Sequence, residues 1–203
     1  MPADRSWCLI RQATPGEIPQ IESVTAAAYT RFRNDVPAAI FKTYMDDMRQ
    51  FAARWDDTQV LVAELDGRIA ASVSFYADAS ADGLRLPGAW AGSRYLAVHP
   101  DVQGRGIGTK LTHACIGAAV AQGAPAVGIH TVSFMRAACK LYERLGFRRC
   151  PAFDLQASEM LSVDGAEGDL AVVAYRLDLP STDRRGFNRG DRQTGETARH
   201  IQA

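Results

Sequence analysis

The sequence predicts an α/β or α+β domain in which helices cover a sheet, and three observations lead there. Strand-like apolar runs alternate with segments of helical period along most of the chain. Gln59 to Leu65 and Arg68 to Tyr76 are joined by Asp66-Gly67, a strong signal for a tight antiparallel hairpin. The stretch Tyr95 to Leu111, Y-L-A-V-H-P-D-V-Q-G-R-G-I-G-T-K-L, is an apolar strand that runs into a glycine-rich turn and opens an amphipathic helix. With 203 residues and 47% apolar content the chain can bury a full core.

Trp7 to Gln12 reads as a short first strand. Thr14-Pro15-Gly16-Glu17 combines an N-cap, a first-turn proline and a capping-box glutamate, so a helix is expected to about Tyr29. A second helix is expected from Pro37, because Phe41, Tyr44, Met45, Met48, Ala52 and Trp55 recur at helical intervals among polar residues. After the hairpin, Asp78 to Gly88 mixes Asp, Ser, Gly and Pro and reads as a loop leading into a strand near Ser93 to Val98. From Gly106 onward Ile107, Leu111, Ala114, Cys115 and Ala118 share one helical face, and Gly123 and Pro125 mark the stop. Ala126 to Val132 reads as a buried strand. Ser133 is an expected N-cap, Phe134 to Leu145 a helix, and Gly146 its stop before a strand through Phe153. Leu170 to Leu179 is the last expected strand. Residues 1–180 are thus expected to form a single domain, and the polar, arginine-rich stretch 181–203 a disordered tail.

Composition narrows the functions. The formal net charge of zero gives no electrostatic reason to invoke nucleic acid or membrane. The opening M-P-A-D-R-S-W-C carries charge and no long apolar run, so neither a signal peptide nor a spanning helix is expected, and a cytoplasmic location follows. Cys8, Cys115, Cys139 and Cys150 show no C-x-x-C pairing, and no metal site is expected from them. The oligomeric state, a homodimer included, is left open.

Gly104, Gly106 and Gly108 lack side chains that would hold a ligand off the backbone. Successive N–H groups can therefore converge on an anion where the helix dipole is positive. A pyrophosphate suits such a turn, although a plain glycine-rich strand-to-helix loop has the same local pattern. Two phosphate motifs are excluded. A dinucleotide fingerprint needs a third glycine where Thr109 stands and an acidic residue where the apolar run around Ile129 lies. A Walker A loop needs Gly-Lys-Ser/Thr, which Gly108-Thr109-Lys110-Leu111 does not supply.

Gln103, Gly104, Arg105, Gly106, Ile107 and Gly108 do match Gln/Arg-x-x-Gly-x-Gly/Ala, the cofactor motif of the GNAT superfamily of N-acetyltransferases. Upstream, R-Y-L-A-V-H-P resembles that family's fourth strand. Downstream, S-F-M-R-A-A-C-K-L-Y-E-R-L-G-F resembles its last major helix and the turn that ends it, so the resemblance covers roughly residues 94–147. It implies a mixed, mostly antiparallel sheet whose fourth and fifth strands splay apart to admit acetyl-CoA. It also implies transfer of the acetyl group to a primary amine of a small molecule or peptide by direct attack on the thioester.

Under that resemblance Leu96 and Val98 offer backbone groups to the pantetheine arm, the loop from Gln103 through Gly108 to Thr109 binds the pyrophosphate, and Arg105 adds charge, though exposed loop arginines are common. Tyr142 stands at the position of the family's general-acid tyrosine; by spacing alone it is equally a partly buried helix residue. Two positions depart from the family pattern. Met135 stands where many members carry asparagine, and Gly92 where many carry a glutamate that helps deprotonate the amine. The base is therefore unassigned, with His130, Asp78, Asp82 and Glu64 as candidates and a hydrogen-bonded core histidine as the alternative for His130. His99 in its V-H-P turn is expected to be structural, His113 to lie on the exposed side of its helix, and His200 to lie in the tail. Tyr29, Arg33, Asn34, Asp35 and the region after Phe153 are expected near the acceptor, and Asp35 with Asp154 could draw a cationic amine. The missing glutamate also admits a noncatalytic acyl-CoA-binding sensor or regulatory module.

Overall fold

Asp66 and Gly67 both adopt left-handed backbone angles, φ 50° and 74°, which two-residue hairpins of this twist require. That hairpin seeds the sheet. The computed structural model describes residues 8–162 and 169–180, and its elements in chain order are β1 (Cys8–Gln12), α1 (Ile18–Thr30), α2 (Ala38–Met48), β2 (Gln59–Leu65), β3 (Arg68–Tyr76), β4 (Ala91–Val98), α3 (Ile107–Ala121), β5 (Ala126–Val132), α4 (Arg136–Arg144), β6 (Arg148–Arg149), β7 (Leu155–Gln156), α5 (Ala157–Leu161) and β8 (Ala171–Asp178). The strand order is β1-β2-β3-β4-β5-β8-β6, with β7 also on β8. All pairs are antiparallel except β4 with β5.

Period-two alternation sends β2 to two cores. Leu61 and Ala63 face the side covered by Ile107, Leu111, Cys115 and Ala119 of α3, whereas Val60 and Val62 face Ile21 and Val24 of α1 and Phe41, Met45 and Met48 of α2. Both faces are therefore covered, which makes one layered α/β unit. Glu17 ends the entry turn as the capping pattern predicts, its carboxylate accepting from the Thr14 amide at 2.7 Å. No helix among the described residues is long and apolar enough to cross a membrane, and no group of three or more His, Cys, Asp and Glu residues stands together there as a metal site.

Three expectations need correction. The second helix ends at Met48 rather than continuing through Ala52 to Trp55, because the chain turns to bury Phe51 and Arg54 reaches back to the Asp47 carbonyl. Ser133 does not cap α4. The Met135 amide closes a turn on Val132 O at 2.9 Å, so the helix starts at Arg136, with Met135 O accepting from Ala138 and Cys139. The strand through Phe153 shrinks to Arg148–Arg149, since Pro151 opens a 3-10 turn and has no N–H for a ladder. Two short elements carried no sequence signal, β7 and α5, and α5 walls one end of the cleft described below. The stretch Asp78 to Gly88 is a loop, but it packs Ala79, Leu84 and Leu86 with Tyr76, Trp90 and Ala126 in a small core of its own. Trp7 of the first strand and the expected tail, 181–203, lie outside the described residues.

Candidate active site

Strands β4 and β5 pair only at Ala91 with Val127, Gly92 with Gly128 and Ser93 with Ile129. Beyond that point Tyr95 takes φ 56°, and the β3–β4 register shifts between Ser72 and Ser74. This bulge adds a residue to β4, and β4 then runs on beside β3 without a partner on its other edge. The splay expected of the fourth and fifth strands is thus present. The His99 amide donates to Ala70 O at 2.9 Å, so by alternation Ala97 faces β3 and the backbone groups of Leu96 and Val98 face the open seam. Their carbonyls already accept from Tyr29 OH at 3.2 Å and from Gln103 Nε2 at 2.9 Å. Their N–H groups are the donors left for a ligand.

At the mouth of the seam stands the glycine loop. Gly104 and Gly106 adopt φ 77° and 76°, conformations that residues with a Cβ rarely accept, and a Cβ at either would meet open space. From Gly104 to Thr109 no backbone N–H donates to a protein acceptor among the described residues, and the first helical bond runs from Lys110 N to Gly106 O at 3.1 Å. Six successive orphan donors at the positive end of a long helix fit a pyrophosphate. Gln103 is not one of the open groups. Its amide bonds Val98 O and receives Arg31 Nη1 on Oε1 at 2.8 Å, tying the loop to β4 and to the end of α1.

A cleft of about 930 Å³ runs from this loop along the seam. Leu96, Val98, Gln103, Gly104, Gly106, Ile107, Gly108, Thr109, Tyr142 and His130 all line it, whereas Arg105 is exposed outside it. Tyr142 is 5% exposed, with its ring 5.7 Å from that of Phe147 and 6.1 Å from that of Tyr175. Burial pushes its phenol above the ordinary value.

His130 lies on β5 with Nε2 2.8 Å from Phe153 O. A carbonyl only accepts, so the proton sits on Nε2 and Nδ1 carries the lone pair. Nδ1 is buried and has no partner among the described residues. Burial first, and then the Arg94 charge, hold the ring below the usual imidazole range, which keeps it neutral at pH 7.

The other proposed bases are committed elsewhere. Glu64 pairs with Arg11 at 2.7 Å, and exposed Asp78 accepts from the Ser80 amide at 2.7 Å. Asp82 belongs to a half-buried lattice: Arg94 reaches Asp82 at 3.1 Å and Asp47 at 3.3 Å, Arg54 reaches Asp47 at 2.9 Å and Asp82 at 3.3 Å, and the hydroxyls of Tyr76 and Tyr95 donate to Asp82 and Asp47. Gly92 has no room for a carboxylate, since a Cβ there would stand 2.8 Å from Leu84 Cδ1. The loop after β3 fills the position with leucine.

Of the acceptor-side residues, Tyr29 lines the cleft, but Arg33, Asn34 and Asp35 do not. Asp154 is held by Arg149 at 2.8 Å. His99 Nδ1 accepts from the Asp101 amide at 3.4 Å, the structural part expected of it, and His113 is exposed. Cys115 is buried and its thiol is pushed up to about 12, which leaves it inert. His200 lies outside the described residues. Sequence reading missed the Arg54–Arg94–Asp47–Asp82 lattice and the apolar wall of α5, because neither has a local pattern.

The description "Acetyltransferase (GNAT) family" belongs to the family model that matches residues 25–147. The protein "Probable N-acetyltransferase camello" of Xenopus tropicalis is 33% identical over 120 residues, which is 59% of this chain and 48% of that protein, so the match spans about half of the relative. A GCN5-related N-acetyltransferase structure from Rhodopseudomonas palustris superposes with a TM-score of 0.64 at 22% identity, covering 86% of this chain and 97% of the other. A GNAT family acetyltransferase from Brucella melitensis, in complex with acetyl-CoA, gives 0.53 at 21% identity, covering 87% and 94%.

Proposed function

Because the chain belongs to the acetyltransferase (GNAT) family, we propose that it transfers the acetyl group of acetyl-CoA to a primary amine, which attacks the thioester directly. The observation that carries this reading is the continuity of the cleft, which joins Gly104 and Gly106 to Thr109 with their orphan amides, Leu96 and Val98 with their free N–H groups, and Tyr142 and His130. Bound acetyl-CoA supplies an activated acyl group. The loop amides and the α3 dipole hold its pyrophosphate, and the β4 amides hold and orient its pantetheine arm.

As the amine attacks, the carbon–sulfur bond breaks and charge develops on sulfur. The Tyr142 hydroxyl donates a hydrogen bond there. With the phenol above about 10 and a thiol near 8.5, complete proton transfer runs uphill by at least about 2 kcal/mol. Tyr142 therefore acts chiefly by stabilising the departing thiolate, which takes its proton from solvent water once it has left. The proton released by the amine is assigned to neutral His130, which lines the same cleft; its free lone pair on Nδ1 is closed to solvent in the resting protein, so the ring or its neighbours must shift to admit the amine or one water.

Gly92 favours a second reading, a noncatalytic acyl-CoA-binding module, since the position frequent for a glutamate base is filled by Leu84. Both readings require CoA binding, and only the first requires thiol release in the presence of an amine. Thermal stabilisation against acetyl-CoA, CoA, NAD and ATP tests the common premise. At a hundred times Kd, stabilisation is about 2.7 kcal/mol, or about 5–10 °C for a chain of this length. Selective stabilisation by the two CoA species is expected; none, or a preference for NAD or ATP, refutes both.

A further inference from the structure

Resting on the acetyltransferase reading, we infer that the acceptor is a primary monoamine with an uncharged apolar body, and that the cleft selects against polycationic amines. The acceptor end of the cleft is walled by α1 and α2 on one side and by α5 and β8 on the other. Phe32, Ile40, Phe41, Met160, Leu161 and Val172 line it. Ile40 and Val172 are almost fully buried, and Met160, Leu161 and Leu170 pack around them.

The charge inventory points the same way. Among the described residues lining the cleft there is no aspartate or glutamate, and its charged residues are Arg31, Arg94, Arg136 and Arg144. Arg94 is already met by Asp47 and Asp82 at 3.3 and 3.1 Å, so it offers an anionic substrate group no open fork, and those carboxylates are neutralised in turn by Arg54. Asp46, Asp47 and Asp82 face a separate depression of about 390 Å³ that adjoins the cleft at Arg94, Met160 and Leu161. Asp35 and Asp154, which by sequence could have drawn a cation, do not line the cleft. A second ammonium in the apolar compartment would lose its hydration without gaining a carboxylate. The reacting nitrogen needs none, because it enters as the neutral amine, with neutral His130 in the same cleft.

The test is a steady-state series on the full chain, following thiol release from acetyl-CoA with butylamine, hexylamine, octylamine, 2-phenylethylamine and spermidine, beside acetyl-CoA stabilisation of the same sample. Each methylene buried is expected to raise kcat/KM about fourfold until the compartment fills, with spermidine below hexylamine. Leu161→Glu, at a half-buried lining position, is expected to lower kcat/KM for octylamine and raise it for spermidine, with the acetyl-CoA stabilisation as its folding control. Three results overturn the inference and leave cofactor binding standing: a flat alkyl series, spermidine matching octylamine, and acetyl-CoA binding without turnover of any monoamine. Absence of acetyl-CoA stabilisation in the wild type overturns the acetyltransferase reading itself.

Discussion

Adding one methyl group at Gly92 tests how the loop after β3 occupies the site. Gly92 pairs with Gly128 across the β4–β5 junction, and an alanine Cβ there would stand 2.8 Å from Leu84 Cδ1 and 3.4 Å from Ala79 Cβ. Leu84 is fully buried, packed in the small core with Tyr76 and Leu86, so its terminal carbon can move only by giving up contacts. Overpacking of this kind costs about 1–3 kcal/mol, and because the nearest atom is the end of a side chain the middle of that range, about 2 kcal/mol, applies. Tm should fall by about 4–8 °C. Leu84→Ala alone removes buried volume and should cost about 3 kcal/mol. In the double variant the new methyl enters the space the leucine vacated, so the total should stay near about 3 kcal/mol rather than the additive sum near 5. Urea unfolding of the four proteins measures the cycle. Wild-type stability in Gly92→Ala, or additivity within about 0.5 kcal/mol, would refute the packing account. The functional corollary is that Gly92→Glu does not install a base: it should destabilise the loop and leave kcat/KM no higher than in the wild type.

Tyr142→Phe should keep acetyl-CoA stabilisation within about 1 °C of wild type while kcat falls about 100-fold, the scale of one positioned proton donor; an unchanged kcat would remove the hydroxyl from the mechanism. His130→Gln retains an N–H for Phe153 O but has no base, so kcat/KM should fall about 100-fold. In the wild type kcat should decline as pH drops below a bend under the usual 6.5, because His130 must be neutral and burial lowers its pKa; the same bend in the variant would exclude it as the base. Stability carries the same sign. The unfolded chain takes up the histidine proton first, so the folded form loses stability as pH falls from about 6.5, and the variant should lack that component in pH-dependent unfolding.

Local chemistry made much of this fold legible. Asp66-Gly67 fixes both ends of its hairpin, and β2, β3 and β5 fall on the residues expected, because alternation and turn conformation are properties of a few neighbouring residues. Gly146 ends α4 in the left-handed backbone a helix C-terminus uses, and Gly106 opens α3 in the same left-handed region as part of the glycine turn. Misreadings arose where distant contacts outweighed local pattern. Ala52 and Trp55 keep the helical spacing of α2, but burial of Phe51 and the pull of Arg54 on Asp47 bend the chain away. Ser133 has a cap's chemistry, yet the turn closed by Met135 starts α4 later.

By itself, the sequence determined the glycine turn that opens α3, since Gly104 and Gly106 both take left-handed backbone angles there and that requirement is local. It also determined that the frequent glutamate is missing at Gly92. Only the tertiary structure decided what takes its place. Leu84 arrives from a loop whose packing depends on Tyr76, Trp90 and Ala126, and His130 acquires its tautomer from Phe153, 23 residues away. Of the carboxylates the sequence offered for a cationic amine, Asp154 is drawn off by Arg149 and Asp35 does not line the cleft, while the candidate base Asp82 is held by Arg54 and Arg94. Which charges stay free for a ligand depends on pairings between remote segments, and a one-dimensional pattern carries no record of them.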